Sequence, residues 1–509
     1  MLARPERKNR QNVDKQGPGI HHGINKSRTA PRSQEIPDAA RADTASILIH
    51  AAAGTHLKRN GPAIKDAPMR TGTDTVLDFI TQFDLSRSDA AVVRQARRCL
   101  LDGLGALLAG CQTPLAALSA RLAVAHLPET PKERCTLLAG GTASLLGAAF
   151  ANGFASNALD VEHGYRPTQG RPGACLLPVL LALAETAPSP VSGASLLEAL
   201  VVGYEVAIRA GLLRNTDDHN VFTSGAWASL GAAAAGGRLL RLPRAVLRQA
   251  LGATDYHSPL GLILRGVQTP CMAKDGVGWG AFTAMSSLLL AREGFTAPEP
   301  LFSEAADPDM NGLGRDFHFL HLYFKPFCCC RWTHAAVAGA LALARKYDLA
   351  PGDIDRIRVY TFSHAAALSR DHPGDTEQAQ YNLTYPVAVA LADGCVSGVQ
   401  VLPPRLAAPE VLALQDKVEV EVREDFEREF PARTLAEVIL EARGRTYASG
   451  PLEPPWEAED SPSDAELHEK FLRLTTPLCG EAEAQRLAGC AWRAESLEDA
   501  RQLLPRPRP

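Results

Sequence analysis

Long segments rich in Ala, Leu and Gly dominate the first half of this chain, and Val or Ile almost never alternates with polar residues there. These segments cover residues 142–158, 174–186, 194–212, 225–240, 244–256 and 278–292. Since a half-buried strand needs a period of two, the pattern predicts helices. Two further helices are predicted at 75–83 and 90–108. Gly103, Gly105 and Gly110 predict that the second of these packs closely against a neighbour.

The pattern changes after about residue 322. Residues 354–361 and 418–422 alternate with a period of two and predict strands, and 436–442 with 445–447 predicts a hairpin. Helical runs at 335–346 and 384–394 lie between them, and 463–475 and 481–504 are again amphipathic helices. The predicted fold is mainly α. It has a large helical domain at 73–322, a smaller α+β lid at 323–455, and C-terminal helices at 456–509 that return to the helical domain.

Residues 1–72 differ in composition from the rest of the chain. They are rich in Arg, Lys, Gln, Asn, Pro and Gly and poor in aromatic residues, which predicts a disordered N-terminal extension. Its first thirty residues are basic with few acids. We expect a cytoplasmic protein, with a mitochondrial location as the alternative if this extension acts as a transit peptide.

Charge and cysteine content limit the partners of the chain. A formal net charge of −4 gives no electrostatic basis for binding nucleic acid, and no apolar run reaches membrane-spanning length without interruption. Eleven cysteines without framework spacing indicate a reducing compartment. The adjacent residues 328–330 are all cysteine, and side chains of consecutive residues diverge, so one metal centre bound by all three is not expected.

The segment 325–334, KPFCCCRWTH, combines a lysine, three thiols, an arginine, an indole and an imidazole. An amphipathic run follows at once, so the cluster stands at a predicted helix start, where backbone N–H groups favour an anion. The alternative is a structural turn with buried thiols, because free cysteine is among the most buried residue types.

Five segments together resemble the MmgE/PrpD family, which includes 2-methylcitrate dehydratase, cis-aconitate decarboxylase and iminodisuccinate epimerase. They are LDGLG at 101–105 with AG at 109–110; 152–160 leading to RPGA at 171–174; VVGYEVAI at 201–208; KDGVGWGA at 274–281; and 325–334 with YNLTYPV at 381–387. The resemblance runs from about residue 75 to about 505. It implies a homodimer, an active site in the cleft between the two domains, a small polycarboxylate substrate, and neither metal nor organic cofactor.

The resemblance assigns catalytic roles to Asp160, Lys274, Lys325, Tyr385 and His334. Considered without it, each has a structural alternative. Asp160 could cap a helix end, the lysines could lie on the surface, and Tyr385 could be a core tyrosine with one hydrogen bond.

Arg171, His163, His219 and Arg331 are the candidate substrate-binding residues. Arg171 stands where the family usually has histidine, and arginine keeps its charge near neutral pH, so we expect a carboxylate clamp and not a proton shuttle. A family histidine is also missing near Phe222, where His219 could replace it. Another is missing at Cys330, which makes identity with the decarboxylase less expected. The alternative for His163 is a surface pair with Glu162.

The predicted function is that of a cofactor-independent lyase, of dehydratase or decarboxylase type, that removes a proton next to a carboxylate of a small di- or tricarboxylate. The alternatives are an isomerase or epimerase on the same substrates, or a non-catalytic family member that binds a metabolite. Clustering of Lys274, Lys325, Arg171 and Tyr385 around one cavity would favour an enzyme.

Overall fold

The computed structural model describes residues 71–216, 221–305, 310 and 312–506. The helices of its first part are α1 Gly72–Gln82, α2 Ala90–Gly110, α3 Pro114–His126, α4 Leu145–Asn157, α5 Leu176–Thr186, α6 Gly193–Arg214, α7 Gly225–Leu239, α8 Arg244–His257, α9 Ile263–Gln268 and α10 Val277–Arg292. Two short strands, β1 Cys135–Thr136 and β2 Thr142–Ala143, form a hairpin before α4. A two-residue strand is too short to show a period of two, so the sequence did not predict this hairpin.

The second part combines helices with a four-stranded sheet. Its helices are α11 His334–Tyr347, α12 Ser363–Ala366, α13 Thr376–Gln380, α14 Thr384–Asp393, α15 Pro409–Gln415 and α16 Glu424–Glu429, and its strands are β3 Ile354–Thr361, β4 Val418–Val422, β5 Ala436–Ala442 and β6 Arg445–Ala448. The strand order is β4-β3-β5-β6, with β3 and β4 parallel and the other pairs antiparallel. Ile357 and Val359 of β3 are fully buried. The predicted strands are therefore present, and they form one sheet.

Two helices, α17 Asp464–Cys479 and α18 Glu481–Trp492, follow the sheet and pack against α2. The predicted helix at 481–504 is shorter than expected, because it ends at Trp492 and continues as short 3₁₀ turns. The mainly α fold with a smaller α+β part is confirmed. The domain boundaries remain a prediction. The predicted disorder at 1–72 lies outside the described residues, except for Thr71, which caps α1, and Gly72, which begins it.

Two hydrophobic cores hold the described residues together. The larger is built from α1–α8 and α10 with α17 and α18, and the smaller from α9, α11, α14 and the inner face of the sheet. Within the larger core, α2 and α4 approach so closely that a Cβ at Gly110 would collide with the carbonyl oxygen of Ala155. Among the helices described, none is both long and apolar enough to span a membrane alone; α2 and α3 meet that test only as a pair bent by 83°.

Candidate active site

A cavity of about 70 Å³ lies between the helical part and loops of the second part. Its lining includes three guanidinium groups, two phenols, one thiol and two carboxylates, contributed by Arg166, Arg171, Arg331, Tyr323, Tyr381, Cys330, Asp275 and Glu457. Burial raises the pKa of Tyr323 to about 12 and that of Cys330 to about 11, so both groups are neutral near pH 7. The cavity thus combines permanent positive charge with neutral hydroxyl donors.

Asp160 lies directly behind this cavity, three residues after the end of α4. Its backbone is left-handed, with φ 51°, a conformation that Asp tolerates better than most residues. The side chain is fully buried and pairs with Arg171 and with Lys325, whose Nζ lies 3.1 Å from Oδ2. Burial raises the pKa of Asp160, but these two cations outweigh it and hold the pKa below its usual value. Asp160 is therefore a carboxylate that anchors cations, which makes it a weak base.

Three buried lysines converge on the backbone that follows α4. Lys274 Nζ donates to the carbonyl oxygen of Ala158 at 3.3 Å, Lys325 Nζ to that of Asp160, and Lys470 Nζ to that of Val161 at 2.7 Å. Carbonyl groups at a helix C-terminus carry partial negative charge, which favours ammonium groups there. The segment 158–161 thus collects positive charge beneath the cavity, and the surface alternative for Lys274 and Lys325 is excluded by their burial.

Lys274 has neutral hydrogen-bond partners. Its Nζ donates to Gln380 Oε1 as well as to the carbonyl of Ala158, and it lies 5.1 Å from the centre of the Tyr381 ring. Within the described residues, no carboxylate lies within 4.0 Å of this ammonium group. Burial lowers the pKa of Lys274, while the charge of Asp160 opposes that effect. Lys274 is therefore a buried cation without a direct counter-ion, separated from the cavity by the ring of Tyr381.

Arg171 lines the cavity, but its two terminal nitrogens are already engaged. Nη2 pairs with Asp160 and Nη1 with Asp275, and both acids are buried. Its backbone N–H donates to Ser224 Oγ at 3.0 Å. The carboxylate clamp predicted for a substrate is thus occupied by two side chains of the protein itself. In the described part of the chain, Nε of Arg171 has no hydrogen-bond partner.

Arg331 and Arg166 share the carboxylate of Glu457. Arg331 Nη2 lies 2.8 Å from Oε1, and Arg166 Nη2 lies 2.8 Å from Oε2. The Arg331 guanidinium also stacks over the ring of Tyr323 at 4.5 Å. Arg166 Nη2 also lies 3.4 Å from the exposed carboxylate of Glu459, so Glu457 is the buried carboxylate that the two guanidinium groups share. Sequence reasoning missed Glu457, because its segment resembles an ordinary acidic loop.

The two tyrosines of the YNLTYPV segment lie in different places. Tyr385, the predicted catalytic residue, belongs to the smaller core, where its hydroxyl donates to the carbonyl oxygen of Gln400 at 2.7 Å, and it does not line the cavity. Tyr381, four residues earlier, does line it. Burial, assisted by the charges of Asp275 and Asp160, raises the pKa of Tyr381 well above its usual value. The phenol that lines the cavity is therefore that of Tyr381. Tyr385, for which a catalytic role was expected, is a core residue.

The described histidine candidates lie outside the cavity lining. His334 Nε2 contacts the carbonyl oxygen of Cys329 at 3.1 Å, and burial with the nearby charge of Arg331 lowers its pKa well below the usual value. It is a neutral, buried imidazole beneath the 325–334 loop. His219 lies outside the described residues.

His163 belongs to a separate buried network. Its Nδ1 lies 2.8 Å from Asp102 Oδ2, and its Nε2 lies 2.6 Å from the hydroxyl of Tyr204. Asp102 Oδ1 accepts from Lys470 Nζ at 2.5 Å. The expected surface pair of His163 with Glu162 is wrong, because both side chains are buried. This network fixes the segment that carries Asp160 from the side opposite the cavity.

Of the four residues whose clustering around one cavity would favour an enzyme, Arg171 lines the cavity, Lys274 and Lys325 contact the 158–160 segment that Arg171 also contacts, and Tyr385 lies apart in the smaller core. The expected clustering is therefore present only in part. Lys470 and Tyr381 were not among the predicted residues. Tyr381 could have been found from its position in the family-like segment, whereas Lys470 lies in an ordinary amphipathic helix. Among the residues described, no group of three His, Cys, Asp or Glu side chains is arranged to hold a metal ion.

Comparison with known proteins identifies the family. Residues 75–307 match the MmgE/PrpD N-terminal domain and residues 327–495 match the MmgE/PrpD C-terminal domain. The cis-aconitate decarboxylase-like protein oryM of Aspergillus oryzae is 24% identical over 493 residues, covering 85% of this chain and 96% of that protein. Cis-aconitate decarboxylase of Homo sapiens is 27% identical over 440 residues, covering 81% and 89%. Both domain matches occur in the family order and span most of the chain, so this protein belongs to the MmgE/PrpD family.

Proposed function

We propose that this protein is a lyase that acts on a small di- or tricarboxylate, using only its own side chains. Relatives named cis-aconitate decarboxylase support lyase chemistry and make cis-aconitate the first compound to test. A decarboxylase and a dehydratase of such substrates share one demand: negative charge develops on a carbon next to a carboxylate. Preorganised cations are the natural means of stabilising that charge.

The observation that carries the proposal is the excess of buried positive charge. Three guanidinium groups line the cavity, and two lysine ammonium groups lie behind it. All of these cations except Arg166 are buried, so four buried cations face the three buried carboxylates of Asp160, Asp275 and Glu457. Burial raises the pKa of the neighbouring Glu162 well above its usual value, which favours its neutral form. A substrate with two or three carboxylates supplies the missing negative charge.

The cavity geometry suggests how the substrate is held. Arg331 and Arg166 bind one substrate carboxylate, because they share the buried carboxylate of Glu457, and in the described part of the chain Nε of Arg331 has no hydrogen-bond partner. Arg171 is fixed by Asp160 and Asp275, so it acts as a positioned charge at the cavity wall. Removal of water from this enclosed site strengthens each of these interactions.

Tyr381 handles the proton in this proposal. In decarboxylation, the C–C bond to the leaving carboxylate breaks, its electron pair stays on the substrate carbon, and the neutral phenol donates a proton to that carbon. The phenolate formed is stabilised by the Lys274 ammonium beneath the ring and regains its proton from water.

The experiment is an NMR assay of the purified full-length protein with cis-aconitate and a panel of hydroxylated di- and tricarboxylates. We expect turnover of at least one compound and a large loss of kcat in Lys274→Met. The matched control is Lys417→Met, because Lys417 also donates to a backbone carbonyl, that of Ile354 at 2.6 Å, but lies in the sheet region. No turnover and no ligand-induced rise in Tm with any polycarboxylate would contradict the proposal.

A further inference from the structure

A second cavity of about 340 Å³ lies behind the loop that carries Lys325. Apolar side chains, including Phe327, Leu341 and Trp456, form its walls, and the guanidinium groups of Arg345 and Arg473 lie at its edge. Its volume is in the range of small-molecule sites, which combine mostly apolar walls with a few polar groups. None of these five residues lines the first cavity.

The two arginines lack acidic partners. Arg345 Nη2 donates to the carbonyl oxygen of Gly394 at 3.3 Å, and Arg473 Nη2 donates to that of Pro326 at 3.2 Å. In the part of the chain that the structure describes, neither guanidinium group has a carboxylate within 4.0 Å. Most other arginines near a cavity here are paired with acids, as Arg171 and Arg331 are. The second cavity therefore offers two solvent-exposed guanidinium groups without carboxylate partners beside an apolar wall.

The backbone conformation of Trp456 is a second observation that favours a ligand site in this cavity. Its φ of 67° places a bulky residue in the left-handed region, a strained conformation that persists only where the surroundings impose it. The imposed geometry is fixed by a hydrogen bond from the Phe324 N–H to the Trp456 carbonyl oxygen at 2.9 Å. Such strained residues are common at ligand sites.

We infer that this cavity binds a small organic carboxylate with an apolar body, held by Arg345 and Arg473 and packed against Phe327 and Trp456. The apolar wall selects against a bare inorganic anion, and the guanidinium groups select against a neutral ligand. No acidic residue in the described lining competes for the two charges.

The second cavity is connected to the first through two very short stretches of chain. Pro326 and Phe327, which line it, directly follow Lys325, and Trp456 directly precedes Glu457. Lys325 holds Asp160, and Glu457 holds Arg331 and Arg166. A carboxylate bound in the second cavity therefore contacts the segments that position both ends of the first, and it regulates binding there. This regulatory part rests on the proposed function.

The test is calorimetric titration of the full-length protein with hexanoate, with acetate and 1-hexanol as probes that lack the apolar body or the charge. We expect hexanoate to bind at one site per chain, and each probe to bind on the order of tenfold more weakly. Hexanoate binding should weaken by a similar factor in R345Q/R473Q. The control R121Q/R445Q, which removes two exposed arginines that line neither cavity, should bind like the parent. Equal binding by R345Q/R473Q and the parent would overturn the proposal.

Two cavity-filling variants separate the sites. Ala338→Trp fills the second cavity and should abolish hexanoate binding, whereas Thr434→Trp fills the first and should leave it intact. The reverse result would place hexanoate in the first cavity and overturn the inference. Regulation is tested by titrating propane-1,2,3-tricarboxylate with and without saturating hexanoate. Unchanged affinity would refute the regulatory part, and absence of tricarboxylate binding would instead count against the proposed function.

Discussion

Replacing Lys470 with Met tests how strongly one buried ammonium group holds the segment that carries Asp160. The side chains of Lys470 and Asp102 are 1% and 0% exposed, and their charged atoms lie 2.5 Å apart. The same ammonium group donates to the carbonyl oxygen of Val161 at 2.7 Å. Methionine keeps most of the apolar stem of lysine and removes the charge and its donors. The variant therefore leaves Asp102 buried without its ammonium partner.

Two estimates bound the effect. The pKa of Asp102 is about 2 against an ordinary value of 3.8, since Lys470 and His163 outweigh the opposing effect of burial. That difference corresponds to about 2 kcal/mol. Breaking a buried ion pair by removing one partner costs about 3–5 kcal/mol, which is larger because the burial penalty of the remaining carboxylate is no longer offset. The second estimate applies to Lys470→Met, so we expect its free energy of unfolding to fall by about 3–5 kcal/mol.

Differential scanning calorimetry at pH 7.5 measures this loss. For the described residues, an unfolding entropy of about 0.9 kcal/mol/K converts this loss into a fall in Tm of about 3–6 °C. Lys417→Met, which removes a lysine-to-carbonyl hydrogen bond without a buried acid, should lower Tm by only about 1 °C. Equal shifts for the two variants would refute the reasoning.

The pH dependence supplies a second check on Asp102. Its folded pKa lies below its ordinary value, so the stabilisation is complete above about pH 3.8 and is lost as the pH falls through about 2. The difference in Tm between the parent and Lys470→Met should therefore narrow as the pH falls, because protonation of Asp102 removes the cost of a buried carboxylate without its ammonium partner. A difference that grows below pH 4 would be inconsistent with a buried carboxylate as its source.

Further predictions concern the cavity and its surroundings. Tyr381→Phe should lower kcat by roughly 10²- to 10⁴-fold with little change in Tm. Tyr385→Phe should lower Tm and leave kcat unchanged, because only the carbonyl oxygen of Gln400 loses a hydrogen-bond partner. Arg171→Lys should lower Tm, since one ammonium group cannot bridge Asp160 and Asp275 as the planar fork does; an unchanged Tm would contradict the bridge. The pKa of Glu162 in the folded protein is raised above its ordinary value of 4.5, so the free energy of unfolding falls as the pH rises from 4.5 through the folded pKa. Glu162→Gln should make this fall smaller in a pH series of melting curves. Light scattering should report the homodimer that the family implies, and a monomer at micromolar concentration would count against it.

The strands of the second part were predictable almost to the residue, because apolar and polar residues alternate at 354–361, 418–422 and 436–442. In a sheet with one buried face, this alternation places the apolar residues on the buried side. The helices of the first part were predictable in kind from Ala, Leu and Gly content. Their ends were less so: the predicted helix at 142–158 starts at Leu145, since Ser144 caps it and the two residues before that form β2.

The site residues were predictable only where a short segment of sequence identifies them. Lys274 and Lys325 lie in family-like segments, but whether their ammonium groups face the cavity or the carbonyl groups behind it depends on packing between distant segments. Arg171 finds Asp275, 104 positions away, and Lys470 finds Asp102, 368 positions away. No spacing rule anticipates such pairs. Tyr381 and Tyr385 illustrate the same limit, because one short motif contains both, and only the fold decides which phenol reaches the cavity.

The central claim is that buried positive charge at the first cavity binds a small polycarboxylate. Calorimetric titration with propane-1,2,3-tricarboxylate, which offers three carboxylates but no group to eliminate, tests it most directly. We predict saturable binding at one site per chain that weakens as salt is raised and weakens on the order of tenfold or more in Lys274→Met but not in Lys417→Met. Absence of saturable binding at millimolar ligand, or equal affinity of the Lys274→Met variant and the parent, would contradict the account.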